Sequence, residues 1–220
     1  MAGTAAVVLV GGRARRLGGT VKPLLTLGGE TLLARIVGAL TVARVVPIVA
    51  VGPRLDDADV IRVREEPPFG GPVAAVAAAV GSGALDGSAW VLLLAGDLVH
   101  PDRLVARLQE ETASVADEVQ AVVPRAGTQA QWLSGAYRTS ALVRALARAR
   151  VDRDTLDGMS CRALLEGLAV RWIVDEDGST DDIDTPEDLE RARSAHQEAG
   201  GMRAIPESRT ENRIDSEERA

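Results

Sequence analysis

The sequence predicts an α/β chain built on a mainly parallel sheet. Three observations carry that prediction. Valine-rich apolar runs of strand length recur along the chain, stretches with helical spacing separate them, and glycine- and proline-rich loops follow several of the apolar runs. Strands that alternate with helices are the pattern of βαβ units, because a parallel pair needs a crossover of helix length.

The elements follow in order. Residues 5–10 read as a buried strand. Glu30 to Leu40 reads as a helix, with Leu32, Leu33, Ile36, Val37 and Leu40 on one face. Val45 to Val51 is a second strand, closed by Gly52-Pro53, and Val60 to Arg64 a short third one. Pro72 suits the first turn of an alanine-rich helix that runs to about Val80. Ala89 to Ala95 is the most apolar run and the candidate centre of the sheet. Pro101, Leu104 and Leu108 mark the next helix, and Val119 to Pro124 another strand. Ser140 to Arg150 is an arginine-dense amphipathic helix whose charges read as a solvated face. Ser160 to Leu168 forms a short helix and Val170 to Val174 a last strand. Thr185, Pro186 and Asp188 have capping-box spacing for a final helix. From His196 the apolar pattern stops. The expected organisation is one domain over 1–195 and a disordered charged tail over 196–220.

Composition narrows the function. The chain is 46% hydrophobic, enough for a sizeable core, but only 2% aromatic, so that core is built from Ala, Val and Leu. A net charge of −7 argues against general nucleic-acid binding, which usually needs a basic surface. The single cysteine, Cys161, excludes a disulfide framework and a cysteine-rich metal site. No secretory leader pattern and no membrane-length apolar run are present, so a cytoplasmic protein without membrane contact is expected.

Positive charge is local instead. The first strand runs into Gly11-Gly12-Arg13-Ala14-Arg15-Arg16-Leu17-Gly18-Gly19-Thr20-Val21-Lys22, and the first acidic residue of the chain is Glu30. Glycines let backbone N–H groups turn toward a ligand, arginine matches phosphate with paired donors, and lysine adds a point charge. Either glycine pair alone reads as a turn. The combination at a strand end reads as a polyphosphate cradle, though it fits neither G-x-x-x-x-G-K-[ST] nor G-x-G-x-x-G.

Asp97 ends the most apolar strand, a place that suits a hard cation completed by substrate phosphates. Asp182 and Asp184 stand two apart and share one side of an extended segment. They complete a metal shell or merely precede a capped helix. Gln131 and Trp132 offer a hydrogen-bonding edge and a stacking face to a planar ligand. Equally, they belong to a half-buried strand with Trp132 in the core.

The loop L-V-G-G-R-A-R-R-L-G-G-T-V-K-P-L-L resembles the nucleotidyltransferase signature L-A-G-G-x-x-x-R-M-G-x-x-K, and within it the molybdenum cofactor guanylyltransferase (MobA-like) family. Val10 stands for the usual alanine, Leu17 for methionine, and Val21 for a frequent aspartate. Glu66 and Gly71-Pro72 match an acidic residue ahead of G-P-L-A-G, with Ala75 where the second glycine would be. Asp97 matches D-x-P. Gln131, Leu133, Tyr137 and Arg138 match Q-P-L-x-A-x-Y-R, with Trp132 for proline. The final D-x-D-T-P-E-D is similar to N-x-N-T-P-x-D, and occurs in this form in molybdenum cofactor cytidylyltransferases.

The resemblance implies a single Rossmann-like, three-layer α/β/α domain with a mainly parallel mixed sheet. It implies GMP transfer from GTP to molybdenum-molybdopterin, with pyrophosphate released. Nucleotide contacts fall on Leu9, Val10, Gly11, Gly12, Arg13, Arg16, Gly18, Lys22, Glu66, Gly71 and Asp97. Arg16, Lys22 and Asp97 would be catalytic, Mg²⁺ would lie on Asp97 and Asp184, and Gln131, Trp132 and Asp182 would face the acceptor. Contact with proteins that make or insert the cofactor follows from such a role. The alternatives are a cytidylyltransferase for the same cofactor, a sugar-1-phosphate nucleotidyltransferase, and a non-enzymatic nucleotide-binding regulator or cofactor chaperone.

Overall fold

Strand β1 (Thr4–Leu9) lies between β4 (Ile48–Val51) and β6 (Trp90–Ala95) and runs parallel to both. The computed structural model describes residues 3–11, 21–55 and 60–201, with side chains through Glu198. Strand β5 (Ile61–Val63) extends the sheet beyond β4 in parallel. On the other side β9 (Ser134–Arg138) is antiparallel to β6 and to β7 (Ala121–Ala126), and β10 (Val170–Val174) runs parallel to β7. The order is β10-β7-β9-β6-β1-β4-β5, with the short β8 (Gln129–Ala130) paired to β7. A hairpin of β2 (Thr26–Leu27) and β3 (Glu30–Thr31) stands apart.

Alternate residues of the central strands enter opposite layers, as the two-residue strand period requires. Val7, Val49, Val91 and Leu93 join α2 (Pro72–Gly81), α4 (Thr139–Asp152) and α5 (Cys161–Leu165) in one core. Ala6, Val8, Ala50, Leu92 and Leu94 join α1 (Leu32–Val42) and α3 (Pro101–Ser114) in the other. These strands are therefore apolar on both faces, which is why they read as unbroken runs. A third cluster of Leu27, Leu32, Val99, Ile183 and Ala192 fastens α6 (Pro186–Gly201) and the hairpin beside the strand ends.

Several boundaries differ from the sequence reading. Strand β4 begins at Ile48, because Val45 closes α1 through its N–H to the Leu40 carbonyl and Pro47 has no N–H to donate. Residues 127–137 split into β8, a loop and β9. The antiparallel β9 makes the sheet mixed, as the resemblance implied. Helix α6 continues to Gly201, past the point where the apolar pattern ends. His196 lies against the hairpin: a Cβ on Gly28 would lie 2.1 Å from His196 Nε2. No helix among the described residues is long and apolar enough to cross a membrane.

Candidate nucleotide-transfer site

A cavity of about 1120 Å³ opens at the C-terminal ends of β1, β4 and β6. Leu9, Val10 and Gly11 form part of its floor, with Val51 and Ala95 on either side. The strand ends meet closely because of glycine. Gly96 donates to the Leu9 carbonyl at 3.0 Å, and a Cβ on Gly96 would stand 2.7 Å from that oxygen and 3.0 Å from Pro23 Cγ.

The carboxylates are assembled by a short antiparallel pairing. The Val99 N–H donates to Asp181 O at 2.9 Å, the Ile183 N–H to Asp97 O at 3.3 Å, and Leu98 bridges Asp182. Ile183 is fully buried, so its neighbours Asp182 and Asp184 emerge beside Asp97. Carboxylate oxygens of Asp97, Asp182 and Asp184 lie within 4.8 Å of one another.

Two local devices hold the segment. Downstream, the Asp188 N–H donates to Thr185 Oγ1 at 3.2 Å, and Asp188 Oδ2 accepts from the Thr185 N–H at 2.8 Å, the reciprocal cap expected from the spacing. Upstream, Asp175 Oδ1 accepts from the Ser179 N–H and hydroxyl, both at 2.9 Å. Its Oδ2 accepts from the Thr180 N–H at 3.0 Å and from the Thr180 hydroxyl. Burial opposes ionisation of Asp175, but these hydrogen bonds outweigh it and hold its pKa below the ordinary aspartate value.

Lys22 enters from a short 3₁₀ turn, Lys22–Leu24. Its Nζ lies 2.9 Å from Asp97 Oδ2 and 2.5 Å from Asp184 Oδ1. Burial works against the ammonium, yet its hydrogen bonds to Asp184 and Asp97 hold its pKa above the usual lysine value. Asp182 is pushed up to about 6, first by desolvation in the cleft and then by the Asp97 and Asp184 carboxylates, with Lys22 opposing. Among the described residues, one ammonium faces three carboxylates, a cluster of hard oxygen donors.

The remaining candidates separate. Gly71, with φ +95, lines the cavity ahead of Pro72. Glu66 is exposed and off the wall, and the acidic residue on the wall is its neighbour Glu65. Asp182, expected to face the acceptor, lines the cavity as a member of the carboxylate cluster. Gln131 and Trp132 are not on the cavity wall. Trp132 packs edge-on to Trp172, with ring centroids 5.5 Å apart, and its carbonyl accepts the Tyr137 hydroxyl at 2.7 Å. Gly12, Arg13, Arg16 and Gly18 lie outside the described residues. Sequence reasoning missed Glu65, Phe69 and Pro23 on the wall. The Glu65-Glu66 pair was a signal, but which of two adjacent residues turns inward depends on how the loop leaves β5.

A cleft at parallel strand ends, bounded by a lysine and clustered aspartates, defines a nucleotidyltransferase-like α/β protein. The profile of the MobA-like NTP transferase domain matches residues 6–177, and the chain belongs to that family. It is 31% identical over 207 residues to a molybdenum cofactor guanylyltransferase of Nitrobacter hamburgensis, covering 86% of this chain and 92% of that one. The fold is shared with molybdopterin-guanine dinucleotide biosynthesis protein A from Archaeoglobus fulgidus at a TM-score of 0.63 and 22% identity, over 88% of this chain and 99% of that one. A nucleotidyl transferase from Methanothermobacter thermautotroptrophicus has the same fold at a TM-score of 0.65 and 20% identity, over 89% and 98% of the two chains.

Proposed function

We propose that this nucleotidyltransferase moves GMP from GTP to the terminal phosphate of a molybdopterin-type acceptor and releases pyrophosphate. The observation that carries the reading is the meeting of Lys22 with Asp97, Asp182 and Asp184 at one end of the cavity. The Nitrobacter relative supports the choice of GTP and acceptor.

The donor set fits Mg²⁺: three carboxylates within reach of one point, all oxygen, with room for substrate phosphates. Asp97 and Asp184 would hold the ion, joined by Asp182. When bound, it would offset charge on the α-phosphate. The protein's own groups do the rest by position. The glycine-rich end of β1 receives the triphosphate. Lys22 moves its ammonium from the carboxylates to the departing pyrophosphate, together with Arg16 of the motif. The acceptor phosphate is already ionised, so no side chain has to take a proton from it. We place the protein in the cytoplasm, with a charged tail behind one catalytic domain.

Calorimetry of GTP, CTP, UTP and ATP, with Mg²⁺ and with chelator, tests the reading. Preference for GTP that requires Mg²⁺ is the expected result. Preference for CTP would replace the guanylyl assignment by a cytidylyl one, and preference for UTP would point to a sugar phosphate acceptor.

A further inference from the structure

We propose that Phe69 is the stacking platform for the nucleotide base, held in position by Glu65. This inference rests on reading the cavity as a nucleoside triphosphate site. Phe69 is the only phenylalanine of the chain. It lies between β5 and α2, lines the cavity, and leaves 55% of its surface exposed. Its φ is +67°, a conformation that a bulky residue adopts only when its surroundings impose it. Burial does not explain the residue, because the ring is largely uncovered. Local turn preference does not explain it either, because glycine or asparagine suits that backbone better.

The surroundings that impose the conformation are visible. Glu65 Oε1 accepts the Phe69 N–H at 3.1 Å, with the Glu65 side chain 8% exposed. On the other side the Gly158 N–H donates to Gly70 O at 2.8 Å, and a Cβ on Gly70 would stand 2.6 Å from Asp157 Oδ1. The loop is thus clamped before and after Phe69. Glu65 Oε2 is buried and has no hydrogen-bond partner among the described residues, although Glu65 lines the cavity. A buried acceptor left open at a cavity wall is the complement of a ligand N–H donor.

Position supplies the ligand. The carboxylate end sits at β6, and the Phe69 loop follows β5, three strands away in the order β6-β1-β4-β5. At the usual strand separation the two ends are roughly 14 Å apart. A nucleotide with its α-phosphate near Asp97 and Lys22 lays its ribose and base toward β5. There the base meets an aromatic face and an open carboxylate oxygen. Guanine presents adjacent N–H donors on one edge, which suits that oxygen.

The test measures binding of GTP and of inorganic tripolyphosphate by calorimetry, using the full chain and three variants: Phe69→Gly, Phe69→Ala and Phe69→Trp. Loss of stacking predicts that Phe69→Gly and Phe69→Ala bind GTP roughly 5- to 100-fold more weakly. Their tripolyphosphate affinity stays that of the parent, a split that a general loosening of the fold does not produce. Phe69→Trp keeps GTP affinity within a few-fold, and its added emission is quenched by GTP and not by tripolyphosphate. Phe69→Gly relieves the left-handed backbone, so folding is not the obstacle. If Phe69→Gly binds GTP as tightly as the parent, the proposal is overturned. If the unmutated chain binds tripolyphosphate and no nucleotide, the nucleotide reading itself falls, before any variant is compared.

Discussion

At the β6 end of the cavity, residues distant in sequence meet: Lys22 bonds Asp97 across 75 positions and Asp184 across 162. At the β5 end, Glu65, Phe69 and Gly71 come from one loop, and the 157–158 turn braces it from outside. The first end is charged and rests on topology, because the segment around Ile183 must pair with the segment around Leu98. The second is mostly apolar and stores backbone strain in a local turn. A charge cluster built from remote segments can be dismantled from several places. A strained loop depends on its own residues and one clamp.

The comparison breaks most sharply at Asp97. Asp97→Ala is expected to lower nucleotidyl transfer by roughly a thousandfold, as loss of a central electrostatic group does, while the protein stays folded. Turnover assays with circular dichroism check this, and intact turnover would remove Asp97 from the site. Lys22→Ala is expected to cost about a hundredfold in turnover. It also leaves three carboxylates without their ammonium, so added Mg²⁺ should raise the thermal midpoint of Lys22→Ala more than that of the parent. Equal shifts would mean that Lys22 does not compensate the cluster.

The next effect concerns the frame that brings the strand ends together. Gly96→Ala pushes a methyl to 2.7 Å from the Leu9 carbonyl oxygen, and about 1–3 kcal/mol of stability should be lost. Gly11→Ala meets nothing nearer than 3.5 Å among the described residues, so its stability should stay within about 0.5 kcal/mol of the parent. Urea denaturation of the pair decides whether close approach, or glycine as such, matters here.

A further effect lies upstream of Asp181. Asp175→Ala strips Ser179 and Thr180 of their acceptor and should cost about 1–2 kcal/mol at neutral pH. The folded pKa of Asp175 is depressed, so its contribution is complete above the unfolded value, near 3.9, and is lost as pH falls through the folded value. The stability gap between parent and Asp175→Ala should hold from neutral pH down to about 4 and narrow below it. A gap already closing at pH 6 would contradict that assignment.

Much of the fold was legible. Strands β1, β4 and β6 are covered on both faces, so their apolarity is continuous and needs no partner to be seen. The α6 start was legible because a capping box is chemistry within four residues. The place of Asp97 was legible, because it stands just past the end of the most apolar strand, where the cavity opens. The direction of β9 was not, because pairing with β6 is a relation between strands and leaves no mark in five residues. The choice of Glu65 over Glu66 was closed to sequence for a similar reason. Trp132 matched an acceptor motif yet lies against Trp172, a residue 40 positions later that only the β7–β10 pairing brings near.

The sequence by itself determined the layers, the glycine-rich exit from β1 and the residue types of the charged site. These follow from hydrophobic period, backbone freedom and local hydrogen bonding, all short-range quantities. Tertiary structure alone decided that Asp182 joins Asp97 and Asp184, that Lys22 lies among them, and that Glu65 and Phe69 close the opposite end. Those are distances between segments, set by strand order and by the burial of Ile183, and no single segment contains them.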